Sequence, residues 1–207
     1  MCGIAGILHF NHQCVELDAL KKMTDTLSHR GPDGEGQWIN EKANIGFGHR
    51  RLAILDLSKA GHQPMHYAND RYTITFNGEI YNYIELREKL QQKGYKFKSN
   101  TDTEVLLALY DFKKEACLND LDGMFAFAIW DEEKQELFCA RDRFGEKPFF
   151  FSYFKNKLVF ASEMKALFEI GVPKVKRIDR YYQYLMYGIN EDPNDRSSTF
   201  YESIYQL

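Results

Sequence analysis

The stretch from Met124 to Ala161 constrains the fold most. Four strand-like segments follow one another there: Met124 to Trp130, Glu136 to Ala140, Lys147 to Phe154 and Lys157 to Ala161. The breaks Asp131-Glu132-Glu133-Lys134 and Lys155-Asn156 are short and polar, as hairpin turns are. What precedes this block mixes two periods. Tyr72 to Phe76 alternates cleanly, and Ile4 to Phe10, Gln37 to Ile39 and Ile45 to Ile54 read as further strands. Leu17, Leu20, Met23 and Leu27 recur at helical spacing, which predicts a helix over 16–28. Asn82 to Gln92, Asp102 to Phe112 and Glu163 to Ile170 carry the same signal, and Asp56 to Asp70 reads as a long polar loop. Strands, helices, strands and a final helix imply two antiparallel sheets with helices packed outside, an α+β layered domain.

The bulk properties exclude several classes of function. A net charge of −3 leaves no electrostatic footprint for nucleic acid or an anionic membrane. No apolar run approaches the roughly 20 residues that a bilayer span needs. Cys2, Cys14, Cys117 and Cys139 are scattered, which argues against a disulfide framework or a zinc site and points to a reducing cytoplasm. No metal site is expected. From Val172 onward the pattern changes. Arg180 to Tyr187 reads as a tyrosine-rich helix, 188–198 as a polar loop, and Phe200 to Leu207 as the start of another strand. We therefore divide the chain into a domain over 1–170 and a tail over 171–207.

Five stretches could carry chemistry. Cys2 follows the initiator methionine and becomes N-terminal if Met1 is removed. A thiol and a free α-amine, whose unperturbed pKa is about 8, then share one residue and supply nucleophile and base together. The bland alternative is a small buried side chain in the first strand. Gly3 and Gly6 beside it would let a ligand come close. Asn77-Gly78-Glu79 follows a strand, where Asn-Gly usually marks a hairpin. Here 80–82 leads into a helix, so the Asn77 amide and the Gly78 N–H could instead face an oxyanion. Arg51 either reaches solvent or clamps a carboxylate in a two-pronged hydrogen bond. Asp102 either caps its helix, with Thr101 and Glu104 as a capping box, or grips an ammonium group. Arg141 to Pro148 is a charged turn with no catalytic role legible in its spacing. His62 and His66 read as ordinary loop histidines, because Pro64 between them disfavours a helical metal pair.

Seven segments, in order, resemble class II glutamine amidotransferase domains. They are MCGIAGI at 1–7, HRGPDGEG at 29–36, RLAILDL at 51–57, FNGEIYNY at 76–83, SNTDTEVLLALY at 99–110, LDGMFAFAIWD at 121–131 and RDRFGEKPFFF at 141–151. The likeness is greatest to the N-terminal half of glutamine-hydrolysing asparagine synthetases. It implies the N-terminal-nucleophile hydrolase fold, a four-layer αββα sandwich. It implies that Cys2 attacks the side-chain amide of L-glutamine and that Asn77 and Gly78 form the oxyanion hole. Arg51 would hold the α-carboxylate and Asp102 the α-ammonium group, with Glu79 and the backbone of Leu52, Ala53, Ile54 and Leu55 as further contacts. No cofactor is expected in this domain. ATP and Mg belong to a C-terminal synthetase domain outside these residues, which would use the ammonia to amidate a carboxylate. The 124–130 strand, the 141–148 turn and the tyrosines of the tail are expected to face that domain, and a homodimer is left open. Aspartate is the expected acceptor. Sugar acids, the sugar-phosphate or phosphoribosyl-pyrophosphate amidotransferases, and a catalytically silent docking domain are the alternatives.

Overall fold

The computed structural model describes residues 1–207 except 12, 57 and 193. Ten strands form two antiparallel sheets. The first sheet has the order β10-β8-β9-β1-β3-β2, from β1 (Gly3–His9), β2 (Gly34–Ile39), β3 (Ile45–Arg51), β8 (Phe150–Phe154), β9 (Lys157–Ala161) and β10 (Tyr205–Gln206). The second has the order β4-β5-β6-β7, from β4 (Met65–Tyr67), β5 (Tyr72–Ile80), β6 (Gly123–Asp131) and β7 (Glu136–Arg141). Helices α1 (Leu17–Asp25) and α4 (Met164–Phe168) pack with the first sheet, and α2 (Tyr83–Gln92) and α3 (Asp102–Lys113) with the second.

The two-residue period of the strands builds the layers. Along β6, Phe125, Phe127 and Ile129 pack with α2 and α3, while Ala126, Ala128 and Trp130 face the other sheet. Along β1, Ala5 and Ile7 pack with α1, while Ile4 joins Phe47, Phe149 and Phe160 between the sheets. The result is a four-layer αββα sandwich, as the resemblance implied. Because β6 lies between β5 and β7 with both faces buried, it cannot face another domain, contrary to the expectation for that strand.

Other elements differ from the sequence reading for physical reasons. The strand read over 45–54 ends at Arg51, where its partners run out: Arg50 pairs with Gly3 and Arg51 with Gly34. The 56–70 loop contains a 3₁₀ turn, Lys59–Gly61, and the short β4. The strand read from Lys147 starts only at Phe150. The Asp142 carboxylate takes the N–H groups of Glu146 and Lys147, and Arg141 takes the carbonyl of Lys147, so a turn replaces the ladder there. The space left by Gly3 and Gly6 is filled by protein, not ligand. A Cβ on Gly6 would sit 2.2 Å from the Phe160 ring, and one on Gly3 2.9 Å from Leu27 Cβ.

Residues beyond 170 return to the sheet. Helix α5 (Ile178–Tyr187) ends at Gly188, whose φ of 70° gives a left-handed cap. Only Tyr205 and Gln206 of the last segment form a strand, on β8, and Ile204 is fully buried against the core beside α1. Tyr181 and Tyr184 pack on Phe200, and Tyr182, Tyr184, Leu185 and Tyr187 are exposed. No helix among the described residues is long and apolar enough to cross a membrane.

Candidate active site

Cys2 sits just ahead of β1, and the turn after α1 fixes it there. Arg30 Nε donates to the Cys2 carbonyl at 2.9 Å, and its Nη1 pairs with Glu163 at 3.0 Å. Asp33 holds the facing loop, donating its N–H to the Arg51 carbonyl and accepting the Ala53 N–H at 2.9 Å. Leu52 then closes on the thiol. Its N–H donates to Cys2 Sγ at 3.3 Å, and the thiol reaches its carbonyl at 3.6 Å. Burial pushes the Cys2 thiol above its ordinary pKa of 9.0, against smaller opposing effects from the Leu52 hydrogen bond, the chain's amino terminus and Arg51. The resting form near neutrality is therefore the thiol, and attack requires a proton acceptor.

No histidine lines the cleft among the described residues. His49 lies nearby in the chain, but burial pulls its pKa down to about 3, and its Nε2 donates to the Phe76 carbonyl at 3.0 Å.

The opposite wall is the far half of β5. The sequence left Asn77-Gly78 as a turn or an anion site after a strand. In fact the strand runs on to Ile80, with Asn77 opposite Ala126 and Gly78 opposite Phe125. The Phe125 carbonyl accepts from Asp142, on the β7 side, so Phe125 turns its backbone polar groups away from β5. Gly78 is thus a non-hydrogen-bonded position, and its N–H points to the outer edge of β5, as those of Phe76 and Ile80 do. Phe76 N–H donates to Gln63 Oε1 at 2.6 Å and Ile80 N–H to Asp102 Oδ2 at 3.0 Å. β4 pairs only as far as Ile74, so no strand covers Gly78 between them. A Cβ there would sit 2.4 Å from the Met124 carbonyl, so only glycine fits.

Asn77 alternates to the inter-sheet face. It is 1% exposed, and its Nδ2 has no hydrogen-bond partner. Orphaned buried donors are rare and costly, about 1–3 kcal/mol each. An amide N–H₂ beside an uncovered backbone N–H is the arrangement that receives an oxyanion.

These walls enclose a cleft of about 200 Å³, below the roughly 300–1,000 Å³ of pockets that take drug-sized ligands. Cys2, Arg51, Leu52, Ile54, Leu55, Asn77, Gly78, Glu79 and Asp102 all line it. Ala53 does not, its N–H being spent on Asp33. The Arg51 guanidinium donates to the carbonyls of Ser58 and Asp56, which ties the loop to the cleft. Asp102 is buried, and desolvation raises its carboxyl pKa against the Ile80 N–H, which lowers it. The N-cap of α3 is Thr101, which accepts the Glu104 N–H. Glu104 does not close the capping box: its carboxylate takes Lys98 N–H, Ser99 N–H and Ser99 Oγ–H instead. Asp102 is thereby left free of capping and faces the cleft.

Sequence reading missed Arg30, Asp33, Gln63 and Lys147. Arg30 and Asp33 lie in the HRGPDGEG segment at 29–36, to which the sequence reading gave no side-chain role. No metal-holding group of three or more His, Cys, Asp or Glu side chains occurs among the described residues.

Solved structures with this architecture include the glutamine phosphoribosylpyrophosphate amidotransferase from B. subtilis, with a TM-score of 0.72 at 23% identity, covering 84% of this chain and 45% of that one. The layered fold is therefore one that this chain shares with that amidotransferase. A family model described as a glutamine amidotransferase domain matches residues 1–207. Asparagine synthetase (glutamine-hydrolyzing) 3 of Bacillus subtilis (strain 168) is 46% identical over 184 residues, covering 87% of this chain and 29% of that protein. Putative asparagine synthetase (glutamine-hydrolyzing) 2 of Methanocaldococcus jannaschii is 38% identical, covering 100% of this chain and 42% of that protein. The chain belongs to the class II glutamine amidotransferase family, in its asparagine synthetase-like branch. It spans less than half the length of these relatives.

Proposed function

We propose that this domain hydrolyses L-glutamine to glutamate and ammonia, with Cys2 as nucleophile once Met1 is removed. The observation that carries the reading is the orphaned Asn77 amide and uncovered Gly78 N–H in the cleft that Cys2 lines. The freed α-amine takes the thiol proton, and Sγ attacks the side-chain carbonyl carbon of glutamine. Asn77 Nδ2 and Gly78 N–H hold the oxygen as it becomes negative. The amine returns its proton to the leaving nitrogen, which departs as ammonia and leaves a thioester. Water, deprotonated by the amine, adds to the thioester. Glutamate leaves and the thiol is restored. Arg51 binds the α-carboxylate and Asp102 the α-ammonium group, one charge for each end, with Glu79 and the loop from Leu52 to Leu55 beside them.

In this reading the ammonia goes to a synthetase domain that uses ATP and Mg to activate an acceptor carboxylate, aspartate by analogy with the relatives' names. A second reading keeps the glutaminase and changes the acceptor. Amidase chry2 of Gibberella zeae is 33% identical across 100% of this chain, so a protein with a differently named activity carries a similar half. The test is ammonia release from L-glutamine by Met1-free protein. Release that Cys2→Ala abolishes supports the proposal, and release that survives Cys2→Ala rejects it.

A further inference from the structure

The Arg141 to Pro148 turn gave no chemistry from its sequence, yet one of its residues, Lys147, lines the cleft. Asp142 organises the turn. Its Oδ2 accepts the N–H groups of Phe125 at 3.2 Å and Lys147 at 3.0 Å, while its Oδ1 accepts those of Phe144 and Glu146. One carboxylate oxygen thus ties Lys147 to Phe125, the residue directly across from Gly78. Lys147 lines the same cleft as Cys2, Asn77 and Gly78 and is only 7% exposed. Its backbone makes its hydrogen bonds, to Asp142 and from Arg141, and its ammonium has no acceptor and no carboxylate partner among the described residues. Its stem is buried, while its Nζ is not among the fully buried atoms without a partner, as befits a long cationic side chain whose head stays polar. The cleft that holds an orphaned amide and an uncovered backbone N–H is thus also lined by a lysine with no ion-pair partner among the described residues.

We propose that Lys147 is a further catalytic residue, a charged third donor to the side-chain oxygen of glutamine as that oxygen becomes negative. The inference rests on the glutaminase reading and extends it. Glutamine presents a neutral oxygen there, the tetrahedral intermediate an oxyanion, and the product glutamate a carboxylate. A fixed ammonium strengthens its interaction along that series. It favours the transition state over bound substrate, and it makes free glutamate a competitor.

Two measurements on Met1-free protein test this. For Lys147→Met, kcat for glutamine hydrolysis should fall by about a hundredfold while KM changes by less than about threefold, the pattern of a donor used in the transition state. In a Cys2→Ala background, calorimetry should show Lys147→Met weakening L-glutamate binding by about tenfold with L-glutamine binding little changed. Lys147→Arg should preserve most of the glutamate affinity, which separates lost charge from damaged folding. Active parent protein whose kcat and glutamate affinity are unmoved by Lys147→Met overturns the role of Lys147 alone. A parent that neither hydrolyses nor binds glutamine overturns the glutaminase reading and Lys147 with it.

Discussion

At the scale of single residues, Asn77 is unfavourable for the resting fold and Cys2 rests in its unreactive form. The Asn77 amide is buried without a partner, and the Cys2 thiol is held away from its reactive form. Such groups persist where a ligand uses them. Asn77→Ala should lower kcat by about 10²–10³ and leave the melting temperature within about 2 °C, because no hydrogen bond of that Nδ2 is lost. A large loss of stability with kcat intact would make the amide structural. In the Met1-retaining protein, alkylation of Cys2 should rise only as pH climbs past about 9, since its pKa is raised above the ordinary value of 9.0. Exposed Cys14 should react first, and Cys139, pushed up to about 12 by burial, should lag. Peptide mapping of the labelled protein reads this order. The cleft residues themselves were legible in the sequence, Cys2 from its place after Met1, and Asn77, Gly78 and Asp102 from short motifs. Lys147, Arg30 and Asp33 were not. Arg30 is tied to Cys2, Asp33 to Arg51 and Ala53, and Lys147 through Asp142 to Phe125, all across the fold, and nothing in local spacing announces such partners.

At the scale of elements, β5 and the turn after β7 carry the site. The sequence showed where β5 begins but not that it reaches Ile80, because the nearby helix α2 masked a strand whose partner, β6, lies more than forty residues on. Packing between the sheets fixes the position of β1, and Gly6 is a tight point along it. Gly6→Ala would place a Cβ against Phe160, which stacks on Phe149 at a centroid distance of 5.0 Å. Overpacking of this kind costs about 1–3 kcal/mol, so the melting temperature should fall by several degrees. An unchanged melting curve would show that Phe160 moves aside freely. The Asp142 turn predicts a pH effect. Burial raises the Asp142 carboxyl, but four backbone N–H donors outweigh it and hold the pKa below 3.8. A carboxylate lowered in the folded state stabilises above its unfolded pKa, and that contribution disappears as pH falls through the folded value. Wild-type protein should therefore lose stability below about pH 4 more steeply than Asp142→Asn, as denaturant titrations across that range would show.

At the scale of the whole molecule, the four layers followed from alternation. Met124 to Trp130 and Tyr72 to Phe76 each send every second side chain to a different core, and that pattern is local enough to read. The return of Tyr205 and Gln206 to the edge of the first sheet was not legible, since a two-residue strand has no period. The central claim is that one residue is both nucleophile and base, with the remaining cleft built to hold the oxygen it makes negative. No histidine lines the cleft among the described residues, and Met1 itself lies on its wall. The direct test compares ammonia release from L-glutamine by Met1-free protein with release by protein that keeps Met1, under identical conditions. With Met1 attached the Cys2 nitrogen is an amide and no base, so the account predicts turnover slower by about 10²–10⁴, the usual worth of a positioned base. Equal rates from the two forms would contradict it.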